Sequence, residues 1–146
     1  MKYRFATIDD TAVLAVMNKQ LTEDEQHRNQ FKSEQWFKDR MIQFLNDDYT
    51  AVLFEKESVV AYALYRNHPE HEDTIYLRQI FVSRDYRRQG IGREAINMLK
   101  NDIWPKEKRL TVEVLYHNEV ARKFYQSVGY KEYYLELEMK PEDRKL

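Results

Sequence analysis

Cysteine is absent from this chain. That excludes disulfides, a thiolate metal site and any acyl-enzyme carried on sulfur. A dominant charge is also missing: Lys plus Arg number 24 against 25 Asp plus Glu, a formal charge of -1. No global field therefore draws the chain to nucleic acid or to an anionic membrane. No apolar run approaches the roughly 20 residues of a membrane span. The first residues, Met1-Lys2-Tyr3-Arg4-Phe5, lack the apolar stretch of a signal peptide. A soluble, cytoplasmic protein without nucleic-acid or membrane partners is expected. Glycine is scarce at three residues, and two of them, Gly90 and Gly92, stand almost together. Aromatic residues are plentiful, with 11 Tyr and 7 Phe, and most of them are expected to pack a core.

The residues that are present read as one domain over 1–140 followed by a charged tail, 141–146. Residues 2–6 alternate as a first strand. Asp9 or Asp10 then caps a helix carrying Val13, Leu14, Met17 and Leu21 at helical spacing. Thr22–Lys32 has no period and reads as a loop. Ser33 opens a second helix with a stripe of Trp36, Phe37, Met41, Phe44 and Leu45. Tyr49–Glu55 and Ser58–Arg66 form a hairpin, and Thr74–Val82 is a longer third strand. A helix follows from about Gly90 to Ile103, stopped by Pro105. Leu110–Tyr116 reads as a strand and Asn118–Val128 as a helix with Gly129 at its end. Tyr130–Lys140 supplies one or two last strands. The order β-α-α-β-β-β-α-β-α-β-β implies a mixed α/β sheet covered by helices, locally parallel around the glycine turn.

That turn, Arg87-Arg88-Gln89-Gly90-Ile91-Gly92, carries the chemistry. Glycine permits a left-handed backbone or close approach to another molecule. A turn entering a helix presents unpaired N–H groups and the positive end of the helix dipole, which suits a phosphate or diphosphate. Arg87, Arg88 and Arg93 add cationic donors. No Gly-x-x-x-x-Gly-Lys-Ser/Thr run exists, so this is not a P-loop. Gly90-x-Gly92-x-x-Ala95 fits a dinucleotide pattern, but the seven residues Ser83–Gln89 separate it from the strand it should directly follow.

The same run matches Gln/Arg-x-x-Gly-x-Gly/Ala, the signature of the GNAT family of N-acetyltransferases. The strand Gln79-Ile80-Phe81-Val82 precedes it as in that family. A second block, Leu110 to Asn118 followed by Ala121-Arg-Lys-Phe-Tyr125-Gln-Ser-Val-Gly129-Tyr130, resembles the family's next strand and helix. The resemblance implies a GNAT-like fold with a central, mixed, mostly antiparallel sheet of six to seven strands and about four helices. It implies acetyl-CoA as co-substrate, its diphosphate on main-chain N–H groups from Arg87 to Gly92 and its pantetheine paired with Ile80, Phe81 and Val82. Arg93, Arg122 or Lys123 would meet the 3′-phosphate. Asn118 would contact the cofactor, cap its helix, or both. Tyr125 would protonate the leaving thiolate, or simply pack in the core.

Glu113 stands five residues before Asn118, where some relatives place a general base. Partial burial in a strand covered on both faces would raise its pKa toward that role. The alternatives are a solvent-facing strand position with water as the base, and His117 as a backup. With neither cysteine nor a Gly-x-Ser-x-Gly elbow, transfer to the acceptor is expected to be direct. The acceptor is expected to be a primary amine of a small molecule or peptide. Glu23, Asp24 and Glu25 with Trp36, Tyr133 and Tyr134 would suit a cationic amine. The Tyr-rich C-terminal strands would offer an edge for a homodimer. No histidine cluster makes a convincing metal site. The competing functional reading is a catalytically silent CoA-binding sensor or scaffold of the same fold.

Overall fold

Period-two runs rich in Val, Ile, Tyr and Phe give five strands. They are β1 (Lys2–Phe5), β2 (Thr50–Glu55), β3 (Val59–Asn67), β4 (Thr74–Val82) and β5 (Arg109–Val112), lying in one sheet in that order. The first four pair antiparallel and β5 joins β4 in parallel. The computed structural model describes residues 1–145, which fall into two compact units, Met1–Glu113 and the residues from Val114. The sheet belongs to the first unit, with helices α1 (Thr11–Asp24), α2 (Glu34–Asn46) and α3 (Ile91–Met98). The second unit holds α4 (Glu119–Ser127).

Each helix starts for a local reason. At α2, the Ser33 hydroxyl accepts a hydrogen bond from the Trp36 N–H at 3.1 Å, the expected cap. At α1, Asp10 stands at the N-cap position but its side chain does other work. Asp10 turns back to accept from the Thr7 N–H at 2.8 Å and from both terminal nitrogens of Arg4 at 2.9 Å. The helix therefore begins off a 3-10 turn, Ile8–Asp10, that the Thr7 side chain caps. Beyond α3 the chain widens into a π turn, Leu99–Ile103, closed by the Trp104 N–H on the Leu99 carbonyl at 2.7 Å. α4 ends as predicted at Gly129 (φ +113°), where Tyr130 N–H bonds Tyr125 C=O and Gly129 N–H bonds Gln126 C=O, a Schellman closure.

Helices α1 and α2 pack on each other and on one sheet face. Leu14, Met17 and Met41 meet Ala51, Leu53, Tyr62, Leu64 and Phe81 there. Alternation sends Val52, Ala63 and Tyr65 to the other face, where Tyr65 meets the Trp104 ring at 5.5 Å. α3 packs on β3 and β4, burying Ile91, Ala95 and Ile96. Burying each of these larger apolar side chains stabilises the fold by about 1.5–3 kcal/mol.

The sheet has five strands rather than six or seven. Residues 130–140 carry the period-two pattern of a strand, with Leu135, Leu137 and Met139 alternating with Glu136 and Glu138, yet they form no ladder. Among the described residues their own unit holds no other strand, and a strand's N–H and C=O groups are satisfied only by a neighbour. Tyr133, Tyr134, Leu135, Leu137 and Met139 are exposed. The segment Thr22–Lys32, read as a loop, contributes the end of α1 and a 3-10 turn, Arg28–Phe31. Phe37, on α2, is fully buried, so Phe37→Ala is expected to cost about 3–5 kcal/mol in urea denaturation.

Candidate active site

The site is built on β4, which is paired differently along its length. Thr74 to Leu77 lie between β3 and β5, but the parallel ladder with β5 stops at Leu77–Val112. Beyond it, β4 pairs only with β3. The register there is Leu64–Gln79, Ala63–Ile80, Tyr62–Phe81 and Ala61–Val82. Ser83 N–H bonds the Val60 carbonyl at 2.8 Å, which fixes the alternation. Gln79 and Phe81 direct their main-chain groups to β3, while Ile80 and Val82 direct theirs to the open edge. The Val82 carbonyl accepts from Arg87 Nε at 3.1 Å. Of the three expected main-chain partners, Ile80 and Val82 thus face the edge, and Phe81 contributes its ring to the core.

Between Leu77 and Gln79 the register shifts by one residue, leaving Arg78 as a bulge. A bulge breaks the alternation and re-aims side chains. Here it places Arg78 and Gln79 on the same face of the sheet. Gln79 Oε1 accepts from Tyr62 Oη at 2.9 Å and from Asn18 Nδ2 at 3.2 Å, and Asn18 Nδ2 also donates to Tyr62 Oη at 3.1 Å. This buried polar knot ties α1 to β3 and β4 beside the bulge. Burial pushes the Tyr62 hydroxyl far above its ordinary range, so it stays a proton donor. Arg78 instead reaches α2 and helps line a concave pocket of about 410 Å³ with Trp36, Asp39, Arg40, Gln43 and Phe44.

After β4 the chain makes a 3-10 turn, Arg84–Tyr86, and then the glycine turn. Arg88 has φ +63° and Gly90 φ +75°, both left-handed. Gly90 is the N-cap of α3 and no side chain caps that helix. A Cβ added at Gly90 would meet nothing within 4 Å, so the space beside the helix start is open. By helix geometry the Ile91 and Gly92 N–H groups have no intrahelical acceptor.

The arginines of the turn are partly committed elsewhere. Asp24, at the end of α1, takes Arg87 at 2.5 Å and Arg84 at 3.0 Å, and Arg87 also stacks on the Phe81 ring at 5.1 Å. Partial burial pushes the Asp24 carboxyl up, but the hydrogen bonds from Arg87 and Arg84 outweigh it and hold the group below the usual carboxylate range. The Asp24 clamp therefore sets the turn's position, and the Arg87 side chain is a structural anchor more than a free cation. Arg88 and Gln89 are exposed.

Glu113 lies one residue past β5 and is exposed. The burial expected of it is absent, and β5 ends one residue earlier at Val112. In the second unit, Asn118 Oδ1 accepts the Ala121 N–H at 3.2 Å, so it does cap α4. Tyr125 is half-buried, with the Phe124 and Tyr130 rings 5.3 and 5.6 Å away. Arg122 is held by Glu132 at 2.7 Å and stacks on Tyr116 at 4.5 Å.

Sequence reasoning missed Asn18, Tyr62, Gln79, Arg40 and Arg78. A signal existed for Asn18, a polar residue on the inner stripe between Leu14 and Leu21. None existed for Arg78, since alternation alone assigns it to the wrong face.

The acetyltransferase (GNAT) family model matches residues 12–130. The chain belongs to that family. Among curated proteins it is 29% identical over 62 residues to an uncharacterized N-acetyltransferase, YesJ, of Bacillus subtilis, a match covering 42% of this chain and 34% of that protein. Among solved structures it resembles a possible acetyltransferase from Clostridium difficile 630 (TM-score 0.78, 21% identity, 95% of this chain and 96% of that one). It also resembles the aminoglycoside N-acetyltransferase AAC(6')-Iy bound to a CoA bisubstrate analogue (TM-score 0.74, 14% identity, 95% and 96%). At these identities the structural likenesses establish the fold. Among the described residues no helix is long and apolar enough to cross a membrane.

Two outcomes test the turn. Gly90→Val is expected to lower stability by about 1–2 kcal/mol or more, and Gly90→Asn by less, because Asn tolerates the left-handed region; thermal denaturation reads both. Asp24→Asn is expected to cost about 1 kcal/mol at neutral pH. Because the folded carboxyl titrates below its unfolded value, that difference should be lost as pH falls through the folded pKa.

Proposed function

We propose that this chain transfers an acetyl group from acetyl-CoA directly to a primary amine of a small molecule or peptide. Family membership makes acetyl-CoA the co-substrate. The observation that carries the reading is the one-sided stretch of β4, Ile80 to Val82, which leads into the open helix start at Gly90. An amide-bearing arm would add to that edge as a strand does, through main-chain groups of Ile80 and Val82. A diphosphate would sit at the first N–H groups of α3, Ile91 and Gly92, where the dipole favours negative charge. The residues present therefore fit the group.

When bound, the thioester supplies an activated acetyl carbonyl. The Ile80 N–H is the proposed donor to that carbonyl's oxygen, fixed in place by the β3 ladder. The acceptor ammonium loses two protons overall, as a C–N bond forms and the C–S bond breaks. One proton goes to water, which reaches the acceptor directly. The other, in balance, appears on the sulfur, for which Tyr125 is the proposed donor: its hydroxyl holds its proton at neutral pH until a thiolate demands it. The cysteine-free sequence supports direct transfer without an acyl-enzyme.

The test is calorimetry with CoA, followed by thiol release from acetyl-CoA across an amine panel. CoA is expected to bind, and Gly90→Val to weaken it at least tenfold, or about 1.4 kcal/mol. Release should depend on amine. Tyr125→Phe is expected to lower kcat by ~10²-fold while leaving the acetyl-CoA KM unchanged, and Glu113→Gln to leave the rate unaltered. No heat with CoA would sink the transferase reading; firm CoA binding without any amine-dependent release would replace it with the sensor.

A further inference from the structure

The pocket beside the bulge differs in charge from the expected acceptor site. Arg40 stands on α2 between Trp36 and Phe44, 5.5 and 5.4 Å from their ring centroids, and its Nε is buried without a hydrogen-bond partner. Arg78 reaches the same Phe44 ring from β4 at 5.0 Å and the Tyr49 ring at 5.6 Å, donating to Tyr49 Oη at 3.0 Å. Two guanidiniums thus converge on one aromatic-walled pocket of about 410 Å³, a size suited to a small molecule. Burial and the facing Arg78 charge hold Arg40 below the usual arginine range. The pocket's carboxylate, Asp39, accepts from Gln35 at 2.9 Å, and among the described residues neither arginine has a carboxylate within salt-bridge distance. Glu25, just past α1, acts on Arg40 only through its longer-range field. Two of the three acidic residues expected to attract a cationic amine are drawn off, since Glu23 and Asp24 pair with Arg84.

Resting on the transferase reading for its place in the reaction, we propose that this pocket selects an acceptor amine carrying an oxyanion, a carboxylate or a phosphate, held by Arg40 and Arg78. Planar guanidiniums match both groups through paired N–H donors. The bulge gives the selection its geometry. Arg78 stands two residues before Ile80, in the part of β4 that pairs only with β3, so an oxyanion held by its guanidinium is tied to the same strand as the proposed carbonyl donor. The cost of two like charges facing each other without an anion is relieved when one binds.

The test uses whole protein loaded with CoA and needs no turnover. Calorimetry compares N-acetylleucine, N-acetylleucinamide and the aminoalkylphosphonate counterpart of the first. The acid or the phosphonate is expected to bind about 10- to 100-fold more tightly than the amide, the range of hydrogen bonds to a charged group; whichever is tighter identifies the oxyanion. Arg40→Met and Arg78→Met should bring the acid-to-amide ratio toward unity, while Arg78→Lys restores part of it and CoA affinity stays unchanged. Equal binding of acid and amide, or variants that weaken both alike, would overturn the proposal even if amines are acetylated. Selective, arginine-dependent binding with no acetylation of any amine would uphold the pocket and reject the transferase.

Discussion

The arrangement depends on where β4 loses its second partner. Four residues of parallel ladder hold β4 against β5, and then β5 stops while β4 runs on. A strand edge with unsatisfied N–H and C=O groups is ordinarily a hazard for aggregation. Here the exposed stretch is short, its Val82 carbonyl is taken by Arg87, and its far end leads through a 3-10 turn and the glycine turn into α3. What is left is a length of main chain suited to a ligand with amides of its own. The same loss of pairing opens the sheet where the bulge at Arg78 turns a charged side chain toward α2.

Positioning this edge takes both helical layers. The Asn18–Tyr62–Gln79 knot is buried polar structure, and such groups cost several kcal/mol when left unpaired. Tyr62 and Gln79 pair within it, and Asn18 donates to both while its own Oδ1 has no partner. The knot therefore fixes α1 to the strands beside the bulge by direction as well as by burial. On the opposite side of the sheet, α3 is held by Ile91, Ala95 and Ile96, so the helix start that follows Gly90 is anchored by its own apolar stripe.

Much of this was legible in the residues. Periodicity located all five strands and the four helices, because apolar side chains must alternate on a strand and recur near 3.6 on a helix. Gly90 announced its left-handed turn, Ser33 its cap and Gly129 its helix end. The rest depended on contacts between residues far apart in the chain. Alternation cannot foresee a bulge, so Arg78 was assigned to no site. A lone arginine between Trp36 and Phe44 on a helix looks like an ordinary surface charge until a second one faces it. Residues 130–140 have the pattern of a strand, but pattern supplies only half of a ladder. Glu113 is exposed where a covered strand was expected, because β5 ends one residue before it.

The clamp at Asp24 has a consequence for selectivity. Two of the arginines at the glycine turn, Arg84 and Arg87, already share one carboxylate, so part of its positive charge is neutralised within the fold. Long polyanions such as nucleic acids bind chiefly by displacing counterions from unneutralised cations, and that gain is muted here. Discrimination then falls to the directional dipoles of the backbone, which reward a ligand of the right shape and length and are indifferent to bulk negative charge.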